Sequence, residues 1–91
     1  MTLARGSFVV RNRLGLHARA ATKLAILASR FSCEISISRD GQLANAKSVM
    51  GVLLLCGARG TQLVIEAEGE QADVAVQEIG MLIEQGFGEG E

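Results

Sequence analysis

Proline, tryptophan and tyrosine are missing from this chain of 91 residues, and histidine occurs once, as His17. The aromatic side chains are limited to Phe8, Phe31 and Phe87, and nine basic residues against ten acidic ones leave a formal charge of −1. With neither a basic excess nor stacking platforms, nucleic acid is excluded as an expected partner. No run approaches the ~18 apolar residues needed to span a membrane. Met1 to Ser7 contain Arg5 but no apolar h-region, so no export signal is read and the expected location is cytoplasmic. Cys33 and Cys56 lie far apart in apolar surroundings, with no CxxC pair and no second histidine. No metal site is expected, and both cysteines are read as buried, unpaired small hydrophobes.

Almost half the residues are apolar and about a fifth are charged, the balance of a chain that folds unaided. A chain of this length holds one core, so residues 1–91 are expected to form a single domain, acting as a monomer, with its sites on the surface.

Phe8, Val9 and Val10 read as a short strand ending at Arg11 and Asn12. Gly15 then breaks the chain before a helix from Ala18 to Ser29, whose residues Ala21, Leu24, Ala25 and Ala28 make one apolar stripe. Lys23 and Arg30 fall outside it. Cys33, Ile35 and Ile37 alternate with Glu34, Ser36 and Ser38, the period of a half-buried strand. Asp40-Gly41 marks a tight turn into a strand around Gln42 to Ala44. A short helix is expected within Ala46 to Cys56, with Ser48 near its start and Gly57 and Gly60 beyond its end. Leu63 to Ile65, running on through Glu68, read as the fourth strand. The last helix is expected over Glu70 to Gln85, with Glu70 and Asp73 in its first turn, Gly86 as its stop and a frayed end from Gly88 to Glu91. The order βαββαβα predicts an α+β open-faced sandwich: a four-stranded antiparallel sheet with three helices on one face.

Gly15-Leu16-His17-Ala18-Arg19 places the histidine at the start of a helix, where unpaired amides and the positive end of the dipole favour an anion. Arg19 can bring a full charge and several donors to the same anion. An imidazole is a nucleophile near neutral pH, because its ordinary pKa of about 6.5 leaves much of it uncharged. The residues alone also fit a surface or capping histidine with no chemistry.

The segment Gly15 to Ala21, together with Ala46-Lys47-Ser48-Val49-Met50-Gly51-Val52, resembles the HPr family of phosphocarrier proteins of the bacterial phosphotransferase system. The resemblance spans nearly the whole chain, including Glu68-Gly69-Glu70 and the Gly86-Phe87 ending. It implies that His17 is phosphorylated on Nδ1 by enzyme I, using phosphoenolpyruvate, and passes the phosphoryl group to enzyme IIA domains. Arg19 would neutralise the group in transit. No cofactor is implied, and such a carrier is a transferase component without turnover of its own. This chain departs from the family in having Ala20 where proline usually follows the arginine. Alanine is an excellent helix former, so the entry should loosen slightly while the helix survives, and transfer rate or partner choice is what the change would touch.

Ser48 can cap the helix beginning near Val49. The resemblance adds a regulatory role, in which HPr kinase/phosphorylase phosphorylates this serine with ATP. The dianion would be tolerated at a helix start but would repel an acidic partner at an apolar docking patch, expected from Ala18, Val49, Met50 and Val52. Two alternatives stand beside the sugar-relay carrier: the carrier of the nitrogen-related system, and a regulatory interaction module acting through phosphorylated Ser48.

Overall fold

The computed structural model describes residues 2–89. Its elements run β1 (Leu3–Val9), α1 (Ala18–Ser29), β2 (Glu34–Arg39), β3 (Gln42–Asn45), α2 (Val49–Leu53), β4 (Gln62–Glu68), α3 (Ala72–Glu84) and a closing 3₁₀ turn over Gly86–Gly88. The strands form one antiparallel sheet in the order β1-β4-β2-β3. This is the open-faced sandwich that the element order predicts.

Alternation places Ile35 and Ile37 of β2, and Leu63, Ile65 and Ala67 of β4, in the core beneath the helices. The β2–β3 hairpin turns at Asp40 and Gly41, with φ of 50° and 83°. Two positive φ values in succession belong to the tight turn whose twist matches that of the strands. The α1 stripe of Ala21, Leu24, Ala25 and Ala28 is buried as expected, and Ala20 joins it. In α3 the buried set is Ala72, Ala75, Val76, Ile79, Gly80 and Ile83. Gly80 is required there by Phe8: a Cβ at Gly80 would lie 2.2 Å from the phenylalanine ring.

Four local expectations are corrected. β1 begins at Leu3, well before Phe8, because pairing with β4 runs from Leu3↔Glu68 to Val9↔Gln62. The α2 helix is only Val49–Leu53 within the longer Ala46 to Cys56 stretch. Cys33 is buried, but Cys56 is exposed. Leu55 takes the core position, and the chain then turns through a φ of 54° at Cys56, which ends the apolar run. Finally, α3 starts at Ala72 because Gln71 is left-handed, with φ of 63°, so Asp73 lies in its first turn and Glu70 precedes it.

Candidate functional site

The loop that delivers His17 is fastened at both ends. Gly15 donates its N–H to the Asn12 carbonyl at 3.2 Å, and Leu16 donates to the Gly57 carbonyl at 2.8 Å. Gly15 has φ of 65°, and a Cβ on it would lie 2.4 Å from the Gly57 oxygen, so only glycine lets the loop seat this closely. Leu16 is buried beside it, which leaves the next residue at the surface.

His17 is that residue, and it is the N-cap of α1, with φ of −76° and ψ of 177°. Its carbonyl accepts from the Ala21 amide at 2.9 Å, while its side chain caps nothing. The ring instead turns toward the C-terminal end of the chain, where Nε2 meets the Oε2 atom of Glu89. Oε1 of the same carboxylate accepts from Asn12 Nδ2 at 3.0 Å. The hydrogen bond from Asn12 and the one from His17, with the Arg19 charge nearby, hold the Glu89 carboxyl below its ordinary value, and it stays ionised at neutral pH.

Ala18 and Arg19 are exposed in the first turn of α1. Arg19 shares a shallow surface depression with Arg13, Lys23 and Glu89. An anion arriving at the helix start therefore meets guanidinium and ammonium groups as well as backbone donors. Ala20, at the place of the family's proline, is fully buried.

Ser48 caps α2: its Oγ accepts from the Gly51 amide at 3.0 Å, and its carbonyl accepts from Val52. Lys47, beside it, donates through Nζ to the Phe31 carbonyl at 2.7 Å. Of the expected docking residues, Val49 is 39% and Met50 65% exposed. Val52 is a correction: it is fully buried, because its helical phase points it at the core, and it cannot present itself to a partner. Leu54, four residues after Met50 and therefore on the same face of this turn, is exposed in its stead, as is Leu14 on the histidine loop.

The sequence reading missed the C-terminal contribution. Gly88 belongs to the 3₁₀ turn and Glu89 is bonded to Asn12 and His17, so neither is frayed, while Gly90 and Glu91 lie outside the described residues. The local signal was the Gly86-Phe87 pair. Phe87 is fully buried and left-handed, with φ of 57°, and its carbonyl accepts from Lys23 Nζ at 2.7 Å.

An open-faced sandwich with one cationic helix start at a surface histidine defines a class of small domains suited to carrying an anionic group. Residues 4–85 match the family model described as PTS HPr component phosphorylation site. The chain is 44% identical over 89 residues to the phosphocarrier protein NPr of Shewanella violacea, covering 98% of each. It is 42% identical over 80 residues to the phosphocarrier protein HPr of Cupriavidus necator, covering 88% of this chain and 90% of that one. A crystal structure of HPr-C-His from Thermoanaerobacter tengcongensis superposes with a TM-score of 0.91 at 35% identity, covering 97% of this chain and 99% of that one. The chain belongs to the HPr family of phosphocarriers of the phosphotransferase system.

Proposed function

We propose that His17 is the residue that carries the phosphoryl group, receiving it from phosphorylated enzyme I and passing it to enzyme IIA domains. The observation that carries this reading is the position of the chain's one histidine at an uncapped helix start, with Arg19 beside it, inside the segment that matches the family. The Nδ1 lone pair attacks phosphorus as the bond between enzyme I and the phosphoryl group breaks, and the reverse step hands the group on. First-turn amides and Arg19 hold the phosphoryl oxygens while charge passes across. The carrier works in this reading as a cytoplasmic monomer. No helix among the described residues is long and apolar enough to cross a membrane.

Incubation with phosphoenolpyruvate and enzyme I should give one acid-labile phosphoryl group per chain, and His17→Ala should abolish it. Labelling that persists in the alanine variant would overturn the assignment. Running the assay with each enzyme I paralogue separates the sugar branch from the nitrogen-related one. The 44% identity to NPr, beside 42% to the HPr relative, keeps the nitrogen-related branch as a second reading.

Ser48 is the proposed regulatory site for HPr kinase/phosphorylase. A phosphate there stands at the start of α2, beside exposed Val49 and Met50, and would weaken docking by charge and desolvation. ATP-dependent labelling by that kinase should disappear in Ser48→Ala.

A further inference from the structure

The turn Gly86–Gly88 is tied to the body of the protein at three points. Phe87 is buried, its carbonyl takes the Lys23 ammonium, and Gly86 packs against Asn12. What this anchoring delivers is the Glu89 side chain, only 10% exposed, against an imidazole that is 23% exposed.

Asn12 is fully buried and its Nδ2 donates twice, to the Gly15 carbonyl at 2.8 Å and to Glu89 Oε1 at 3.0 Å. Both partners are acceptors, so the amide must face them with its nitrogen. One asparagine thereby fixes the loop before His17 and the carboxylate behind it. An ionised carboxylate can only accept, so the imidazole nitrogen it meets must carry the proton. With the proton on Nε2, the neutral ring keeps its lone pair on Nδ1. None of the hydrogen bonds among the described residues uses Nδ1.

We propose that Glu89, held by Asn12, is a positioning residue for phosphoryl transfer: it fixes the His17 ring in the orientation and tautomer that present Nδ1 as the nucleophile. The proposal rests on His17 being the phosphoryl carrier. As the Nδ1–phosphorus bond forms and the donor's bond to phosphorus breaks, the proton stays on Nε2 and the ring becomes cationic beside the Glu89 carboxylate. That charge is stabilised where it develops, as a carboxylate behind a catalytic histidine does without itself taking the proton. Arg13, Arg19 and Lys23 border the same depression, so the carboxylate does not leave the site negative toward an incoming phosphoryl group.

The test uses the full chain labelled with ¹⁵N-histidine. Wild type should give a low-field Nε2–H proton resonance, Glu89→Ala should lose it, and Glu89→Gln, whose one amide oxygen can accept from His17 only by turning its NH2 toward Asn12, should keep it in part. With enzyme I saturating, the rate of phosphoryl acceptance should fall about tenfold in Glu89→Ala, by analogy with the low end of the loss when a group orienting a metal-bound histidine is removed. Glu89→Gln should recover part of that rate. An unchanged rate and resonance in a folded Glu89→Ala protein would overturn the proposal. So would a rate loss with the resonance retained, or an effect confined to the KM for enzyme I. Each of these is distinct from failure of the carrier reading, in which His17→Ala would be labelled as well as wild type.

Discussion

The first turns of α1 and α2 share a backbone geometry and differ in the side chain that fills it. Each begins at a residue in extended conformation whose carbonyl accepts the first helical bond, His17 for α1 and Ser48 for α2. Ser48 turns its hydroxyl inward to the Gly51 amide, whereas the His17 ring caps nothing and is held by Glu89. The reason lies in what else holds each helix. The twelve residues of α1 bury Ala20, Ala21, Leu24, Ala25 and Ala28, while the five of α2 bury only Val52. A helix of five residues is too short to persist on propensity and needs its cap; α1 is held by packing and can leave its amides for an anion. The proposed site falls at the helix start that stability can spare.

The change that most directly breaks the α1 arrangement is Gly15→Ala. A non-glycine residue at a φ of 65° costs roughly 1–3 kcal/mol in backbone strain, and the new Cβ would also lie 2.4 Å from the Gly57 oxygen, a backbone atom with little room to yield. The expected loss is about 2–4 kcal/mol, which for a domain of this size lowers Tm by roughly 8–32 °C. Thermal unfolding measures it, and labelling at His17 should fall as well, because the loop on Gly57 sets where the ring stands. A Tm within a degree or two of wild type would show that the close seating on Gly57 does not hold the site.

At α2 the matching change is Ser48→Ala, which makes its start as bare as that of α1. Losing an N-cap of this kind costs about 1 kcal/mol, so Tm should fall by roughly 4–8 °C. The rate of phosphoryl acceptance at His17 should be unaffected at temperatures where the protein is folded. If stability were unchanged, the contrast between a capped short helix and an uncapped long one would lose its physical basis.

What was legible in the sequence follows the range of the interactions involved. β2, the Asp40-Gly41 turn, α1 and the Ser48 cap depend on residues a few positions apart, and local periodicity or cap chemistry revealed them. His17 and Arg19 were visible as neighbours on one turn, but it was the family resemblance that set them apart as a candidate site. The first half of β1 was hidden because Arg5, Gly6 and Ser7 have no strand pattern of their own and are ordered by β4. Cys56 escaped because a single left-handed residue reverses the side expected from an apolar run. Glu89 looked like part of a glycine-rich acidic tail, since its partners His17 and Asn12 lie 72 and 77 residues away. Its role depends on a contact that no local window contains.

The smallest effect is expected at the family departure itself, Ala20→Pro. Ala20 is the third residue of α1, and the first helical bond runs from Ala21 to His17, so the Ala20 amide has no partner one turn earlier within the helix. Proline there removes no rung of the ladder, and its fixed φ lowers the entropy of the unfolded chain, a gain of about 0.4–1 kcal/mol where the site accepts it. Against this, Ala20 is fully buried, and a proline disfavours the helical conformation of the residue before it, Arg19. The two nearly offset, and Tm should rise by less than about 4 °C. Because the whole buried stripe of α1 holds its start, the initial rate of phosphoryl acceptance should change less than about twofold, the two rates differing by well under 1 kcal/mol in barrier. A larger change in rate at unchanged Tm would mean that the freedom of the Arg19–Ala20 peptide, and not only its packing, sets how fast His17 is served.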